Sequence, residues 1–582
     1  MTTTRSGFTK LAAVCIAILL GAVVWELGWP LTRAEHEWSR LIAAVATLGH
    51  LTGILGSYFR KEINRPSLRL LIFQIISCLM IFLLIAREQQ EAGYMRFTEL
   101  SRLVITAGLI AIPTLMSLTR IFEWLVGKQK KGRPLMAPAM QFVASLGVVI
   151  LAGTGLLLLP NSTYPGITLS FTDALFTSTS AVCVTGLNAV DFAHTFTPLG
   201  EMFTLALIQI GGFGIMTFAY FVAMVAGQGF SLRDRVLLTD LLDEDNLGAV
   251  VSFITTIVVS TLFIELCGAV LLYFSWEGKD INLMGEPLWW HSLFHSVSAF
   301  CNAGFSTFPM NLMEPGIRLC YSGQAVIMAL IVCGGLGFGI YKEINSRLAN
   351  RFFSKHRRLH MQWTPYFKLV MISTGILLAG GALAIFAVSS PHAAEPLGEH
   401  LWICLFDSVT ARTAGFNISD YSRYLPAASL IMCGLMMVGG SPGGTAGGMR
   451  TTTCAIAGAE ILRILRGRDH VEFFRRRIDQ RTVARCVITV VVSCAWIGCF
   501  TVLICALEPS MSSLDIFFEN CSAFATVGVS RGITPDLSDP SKYLLIVNML
   551  AGRVGLFAFL IALAGTPPPR HYRYPSVKIP LT

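Results

Sequence analysis

The chain has 582 residues, of which 54% are hydrophobic and 14% are charged, and its mean hydropathy is +0.63. This composition has far more apolar surface than a soluble core needs, so we predict an all-α polytopic membrane protein. The net charge of +9 lies in basic residues between apolar segments, which membrane topology explains better than a nucleic-acid surface does. The 15 cysteines form no Cys-x-x-Cys pair, which argues against a disulfide framework or a zinc site.

Residues 1–136 are predicted to form an N-terminal extension with four transmembrane helices. The four apolar segments are 11–25, 41–59, 70–86 and 103–126. No small-residue cleavage site follows the first segment cleanly, so we interpret it as a retained helix and not as a signal peptide. Four crossings return the chain to its starting side, which the basic residues at 128–133 mark as cytoplasmic. We expect both termini in the cytoplasm and a scaffolding or dimer-contact role for the extension.

From Ala139 onward, a unit of outer helix, apolar half-helix, glycine loop and inner helix occurs four times. The predicted modules are 137–247, 248–360, 361–480 and 481–582. The predicted half-helices are 171–179, 290–297, 401–409 and 514–521. The predicted outer and inner helices are 141–159 with 200–225, 251–274 with 324–341, 367–388 with 430–461, and 483–507 with 543–563. The half-helices are too short to cross a bilayer, so we predict that they re-enter it.

Each half-helix leads into a loop in which a Ser/Thr-Ala pair shortly precedes a glycine. The loop residues are Cys183, Val184, Thr185 and Gly186; Cys301, Asn302, Ala303 and Gly304; Thr413, Ala414 and Gly415; and Thr526, Val527 and Gly528. Glycine accepts backbone angles closed to other residues, which lets carbonyl oxygens face a common axis. A ring of carbonyls can replace the hydration shell of a cation. A single glycine more simply marks helix packing, but four in matching contexts favour a cation pathway.

The third inner helix is expected to be interrupted, because six glycines and Pro442 lie between positions 439 and 448. The residues singled out here are Gly439, Gly440, Ser441, Gly443, Gly444, Thr445, Gly447 and Gly448. The spacing is that of a phosphate-binding loop, but Met449 and Arg450 stand where that motif requires Lys and Ser/Thr. Arg553 is a charge within an apolar helix, which costs about 2.5–3.5 kcal/mol on insertion scales. It is expected to face a cavity or to pair with a carboxylate such as Glu265.

Three other motifs receive structural interpretations. The glycine clusters at 211–214 and 334–339 have no preceding strand and no acidic ribose ligand, so they are assigned to helix packing. Asp173 and Asp515 precede apolar runs and are interpreted as N-terminal caps. His291 and His295 are spaced like a metal pair but have no third ligand, so they are assigned to packing or to polarity at the outer mouth.

The four loops, the motifs at 209–216, 439–448 and 552–555, and the tail at 573–575 together resemble the Trk/Ktr/HKT superfamily of potassium transporters. The resemblance runs from about Ala139 to the C-terminus. It implies a potassium-translocating membrane subunit, not an enzyme, with the four loops as a selectivity filter. In related plant transporters a serine at the first filter glycine goes with sodium permeation, so four glycines favour potassium. The resemblance also implies a mobile gate at 439–448, with Arg553 in the permeation path.

The same resemblance implies a homodimer in the cell membrane and a cytosolic nucleotide-binding regulatory subunit of the RCK (KtrA/TrkA) type. No cofactor is expected in this chain, K+ is the transported ion, and no nucleic acid is involved. The basic stretches at 357–358 and 475–477 and the tail at 573 are candidate docking surfaces, or topology determinants that touch anionic lipid. The alternative is a Na+- or H+-coupled solute symporter, which predicts inverted repeats and a buried carboxylate. Only Glu265 is a candidate for that carboxylate.

Overall fold

The computed structural model describes residues 138–214, 250–353, 363–389, 396–557 and 559–560, together with scattered positions between 14 and 52. These ranges are mostly helical. The predicted helices at 70–86 and 103–126, the basic residues at 128–133 and the tail at 573–575 lie outside the described residues.

Four helices, here called the outer helices, lead the four predicted modules. They are Pro138–Leu157, Val250–Trp276, Pro365–Val388 and Gln480–Leu507. Within the described residues, three segments are long and apolar enough to cross a membrane: Phe253–Trp276, Pro365–Val388 and Gln480–Leu507. The third outer helix begins where Thr364 Oγ1 accepts a hydrogen bond from Phe367 N at 3.1 Å. Large apolar side chains such as Phe263 are exposed on the outer helices, as in helices that face lipid.

Each outer helix is followed by a half-helix of 13 or 14 residues. The four half-helices are Phe171–Cys183, Leu288–Cys301, Leu397–Thr410 and Ser513–Ala525. At 1.5 Å per residue they are about 20 Å long, too short for a hydrocarbon core of about 30 Å. They extend beyond the apolar runs seen in the sequence because buried Ser and Thr residues continue the helices to the loops.

The prediction that Asp173 and Asp515 cap the half-helices is wrong. Ser170 is the N-cap of the first half-helix, and its Oγ accepts a hydrogen bond from Asp173 N at 3.0 Å. Ser512 is the N-cap of the fourth. Both aspartates lie in the first turn and form ion pairs, as Asp173 does with Lys542 at 2.7 Å. The Asp173 carboxylate thus joins two helices, and that of Asp515 holds Arg531 in the loop that follows its own half-helix.

The inner helices are Pro198–Phe213, Tyr321–Leu336, Pro426–Met437 and Asp539–Val554. Three of them end at a glycine with positive φ: Gly214 at 77°, Gly337 at 89° and Gly555 at 89°. The continuous helix predicted over 324–341 is therefore wrong, because the chain bends by 94° at Gly337 before Phe338–Phe353 begins. The fourth inner helix also stops short of the predicted residue 563. The predicted interruption of the third is confirmed, and helix Thr451–Leu465 follows it.

The half-helices are anchored to their outer helices in the same way each time. A polar side chain of each half-helix donates a hydrogen bond to an outer-helix carbonyl oxygen: Ser178 to Ile150 at 2.7 Å, Ser296 to Glu265 at 2.6 Å, Ser408 to Leu378 at 2.8 Å, and Asn520 to Ile497 at 2.9 Å. A carbonyl oxygen has two lone pairs, so each of these oxygens can accept the side-chain donor in addition to its hydrogen bond within the outer helix. The repeated bond sets a common depth for the loops that follow.

Short elements connect these helices. They are the helices Phe192–Thr195 and Pro315–Arg318, the 3-10 turns Pro160–Ser162, Asn311–Met313 and Tyr421–Arg423, and the antiparallel strands Glu472–Phe473 and Arg476–Arg477. The strands pair Glu472 with Arg477 and lie in one of the basic stretches singled out in the sequence.

Candidate functional site

The four loop glycines lie in one closed ring. A Cβ atom added to Gly186 would meet the carbonyl oxygen of Ala303, the residue before Gly304. The same relation holds from Gly304 to Ala414 O at 2.7 Å and from Gly415 to Val527 O at 2.7 Å. The ring closes because a Cβ on Gly528 would meet the carbonyl oxygen of Thr185, the residue before Gly186. The structure thus brings together the four loops that the sequence singled out.

The loop backbone has the same unusual conformation in each copy. The residue two before each glycine is left-handed: Val184 at φ 57°, Asn302 at 61°, Thr413 at 71° and Thr526 at 51°. Each glycine then has a positive φ between 71° and 91°. Backbone of this kind is costly for residues with a Cβ and persists where the surroundings enforce it. The strained conformation thus occurs at the equivalent position of all four loops.

The Ser/Thr that begins each repeated motif fixes the loop behind the glycine. Ser180 Oγ accepts from Gly186 N at 3.0 Å, and Ser522 Oγ accepts from Gly528 N at 3.1 Å. In the other two copies the hydroxyl donates instead, from Ser298 to Phe305 O at 2.8 Å and from Thr410 to Phe416 O at 2.6 Å. The Ser/Thr-Ala pairs are visible in the sequence, but the pattern alone predicted no role for these hydroxyls. Their recurrence before every glycine was the available signal.

An open cavity of about 300 Å³ lies on the ring, and its wall includes Gly186, Gly415 and Gly528. Its rim carries polar side chains such as those of Asn188 and Asn417. Small polar groups around an open mouth suit a hydrated ion about to enter a narrower passage.

The two histidines of the second half-helix are packing groups. His291 Nδ1 lies 2.6 Å from Thr307 Oγ1, and His295 Nε2 lies 2.9 Å from Ser306 Oγ. Both side chains are fully buried. No group of three His, Cys, Asp or Glu side chains that could hold a metal ion occurs among the described residues.

The glycine-rich segment from Gly439 to Gly448 contacts the second and fourth modules. On one side Ser441 N donates to Gly335 O at 2.9 Å, and Thr445 Oγ1 donates to Phe300 O, at the end of the second half-helix, at 3.2 Å. On the other side a Cβ on Gly447 would meet the side chain of Thr526, and one on Gly448 would lie 3.2 Å from Ala525 Cα. The segment therefore touches the base of two loops of the ring.

The other residues singled out in this segment hold its shape. Gly439 N donates to Met449 O at 2.8 Å, Thr451 N to Gly440 O at 3.0 Å, and Gly444 N to Ser441 O at 3.2 Å. Gly443, at φ 71°, accepts a hydrogen bond from Phe338 N at 3.0 Å. The last bond joins the segment to the helix that follows the bend at Gly337.

Arg553 binds backbone and not a carboxylate. Its guanidinium donates to Gly211 O, in the first inner helix, and to Thr445 O, in the glycine-rich segment. Glu265 has other partners: Gln209 Nε2 at 3.2 Å and Cys301 Sγ at 3.6 Å. The ion pair considered from the sequence is thus absent, and Arg553 links three separate parts of the chain beneath the ring.

Two further arginines reach the same segment and were missed by sequence reasoning as part of the site. Arg450 donates to Ala446 O, and Arg412 Nη2 lies 3.4 Å from Gly439 O. Arg412 directly precedes Thr413 in the third loop. Nothing in the sequence pattern relates it to the glycine-rich segment, because the two meet only through folding.

Residues 103–572 match the family model described as TrkH, cation transport protein. This chain belongs to the TrkH family of cation transport proteins. As a TrkH-family chain it is a membrane transporter subunit and not an enzyme. The match begins upstream of Ala139, within the predicted fourth N-terminal helix.

The chain is 34% identical over 446 residues to Ktr system potassium uptake protein B of Bacillus subtilis, covering 74% of this chain and 94% of that protein. It is 32% identical over 466 residues to potassium/sodium uptake protein NtpJ of Enterococcus hirae, covering 78% and 99%. The fold is similar to the crystal structure of the potassium transporter TrkH from Vibrio parahaemolyticus, with a TM-score of 0.59 at 18% identity, over 85% of this chain and 97% of that one.

Proposed function

We propose that this TrkH-family chain is a potassium-translocating subunit in which four modules surround one pore, with the ring of four loops as its selectivity filter. The observation that carries the proposal is the closed ring of contacts, in which each glycine faces the carbonyl oxygen that precedes the next. Such oxygens can replace the water shell of a desolvated cation. The names of the relatives, which include potassium uptake and potassium/sodium uptake proteins, support potassium as the main ion.

The glycine-rich segment 439–448, here called the gate loop, is proposed to close the pore beneath the filter together with Arg553. The loop's contacts with the second and fourth modules support this role, as does the reach of Arg553 to the first. A fixed positive charge on the path raises the energy of a passing cation. Opening then requires Arg553 and the loop to separate from these carbonyls.

The proposal includes a homodimer in the cell membrane, cytoplasmic termini and a cytosolic nucleotide-binding partner. One relative's name assigns it to a Ktr system, which is consistent with several subunits. The basic loop that contains the hairpin at 472–477 is a candidate docking surface. No cofactor is proposed for this chain.

Rubidium uptake into potassium-loaded proteoliposomes tests the filter, with sodium as the competitor. We compare Gly186→Ser with Gly166→Ser. Both glycines have nearly the same φ, 89° and 91°, but only the first lies against another loop, since nothing is within 4 Å of a Cβ on Gly166. We expect Gly186→Ser to weaken discrimination against sodium by about tenfold or more, since a shift of 1.4 kcal/mol suffices, and Gly166→Ser to retain it. Equal selectivity in the two variants, or no rubidium uptake by folded wild type, contradicts the filter.

A further inference from the structure

A small cavity beside the third loop has two buried donors with no partner. It has a volume of about 10 Å³ and is lined in part by Thr374, Arg412 and Gly440. Arg412 is 7% exposed and Thr374 is 6% exposed. Neither Arg412 Nε nor Thr374 Oγ1 has a hydrogen-bond partner in the structure. Buried polar groups without partners need an explanation, and two that line one cavity point to an occupant.

The charge on Arg412 is also uncompensated. Its one hydrogen bond is the 3.4 Å contact with Gly439 O, and no ion pair to it occurs within the ranges that the structure describes. Burying a charge without an opposite charge is costly. A water molecule in the cavity satisfies the free donors but leaves the guanidinium charge uncompensated.

The rest of the cavity wall is mainly aliphatic, from Ile331, Val332, Leu378 and Val409. A water molecule usually needs about three hydrogen bonds, as donor and as acceptor, whereas a halide needs only donors. The cavity has room for no more than a single small occupant. We propose that it binds a single small inorganic anion, chloride in the cell, held by Arg412 Nε and Thr374 Oγ1. The anion joins the third outer helix, the third loop and the start of the gate loop, and it neutralises a positive charge next to the pore.

Bromide gives a direct test, because its anomalous scattering locates it in crystals of the full chain grown in a bromide salt. We expect a peak within hydrogen-bonding distance of Arg412 Nε. A well-ordered water there with no anomalous signal overturns the proposal. This readout is independent of transport, so it does not depend on whether the chain carries potassium.

Thermal unfolding in detergent gives a second test, with chloride titrated against gluconate at constant potassium. A ligand that binds only the folded state raises the unfolding temperature. We expect Thr374→Val to raise the apparent chloride dissociation constant about tenfold or more, since it removes one charge-assisted bond. Arg412→Gln is expected to abolish the chloride effect.

Thr261→Val is the matched control. Thr261 is also buried, with an unpartnered Oγ1, and it lies on the second outer helix, seven residues before Gly268 as Thr374 lies seven before Gly381. It does not line the cavity. The same chloride response in Thr261→Val and Thr374→Val overturns the proposal, even if Arg412→Gln fails to fold.

Discussion

The glycines under the ring and the glycine at the tip of the gate loop differ in what surrounds them. A Cβ on Gly211, Gly334 or Gly552 would collide with a backbone carbonyl at the end of a half-helix, namely that of Val182, Phe300 or Phe524. A Cβ on Gly443, at the tip of the gate loop, would meet nothing within 4 Å. Backbone is thus closely packed directly beneath the ring, whereas there is open space beside Gly443.

The largest loss of stability is expected from adding a methyl group to a glycine that packs beneath the ring. Gly552→Ala should lower the stability by about 1–3 kcal/mol, because the new methyl group must displace the Phe524 carbonyl. In an unobstructed helix the same change is stabilising by about 0.5–1 kcal/mol. Thermal unfolding in detergent measures the difference.

Gly443→Ala is the comparison within the gate loop. It adds no clash and costs only the left-handed conformation at φ 71°, about 1–2 kcal/mol. Rubidium uptake and thermal unfolding are measured for Gly552→Ala and Gly443→Ala. If the two variants lose uptake and stability to the same extent, the difference in packing between the ring and the gate loop has no functional consequence.

A smaller effect is expected from removing the charge of Arg553, which joins the first inner helix to the gate loop. At an effective dielectric constant of about 20, a positive charge about 10 Å away raises the energy of a cation by roughly 1.7 kcal/mol. Arg553→Gln should therefore raise rubidium flux by roughly tenfold, and it also frees the loop at Thr445. The control is Arg423→Gln, which removes an exposed arginine paired with Asp420 at 3.1 Å. A flux that falls in Arg553→Gln while the protein stays folded excludes the barrier role.

The smallest effect on stability is expected from the hydrogen bonds that join the fourth outer helix to the fourth inner helix. Glu508 ends the fourth outer helix and accepts from Ser538 N at 2.9 Å and Ser541 Oγ at 2.7 Å, at the start of the fourth inner helix. The hydrogen bond from the Ser538 hydroxyl is the main reason that the pKa of Glu508 is lowered. A lowered pKa in the folded state adds stability above the unfolded value of about 4.3, and this is lost as pH falls through the folded pKa.

We therefore expect Glu508→Gln to unfold about 1–2 °C below wild type at pH 7, with the gap closing as pH falls below about 4. Glu277→Gln, at an exposed position after the second outer helix, is the control. A gap that does not change with pH shows that the carboxylate charge is not the stabilising feature.

Much of this architecture follows from local sequence. The apolar runs predicted the outer helices and half-helices to within a few residues, because length and hydrophobicity decide which segments cross or re-enter a bilayer. The six glycines and Pro442 predicted the interruption of the third inner helix, because so many helix-breaking residues within ten positions make a continuous helix improbable. The four Ser/Thr-Ala and glycine motifs marked the loops that meet in the ring.

Only the tertiary structure decided which residues meet. Whether Arg553 binds Glu265 or the carbonyls of Gly211 and Thr445 depends on helix rotation, which the composition of an apolar helix does not specify. The break at Gly337 was missed because a glycine cluster suits both close packing and a helix end. Arg412 and Thr374 are distant in sequence, and their shared cavity exists only because the third loop folds against the third outer helix. Local sequence therefore determines which segments are helices or loops, and tertiary packing determines the hydrogen-bond partners of their polar groups.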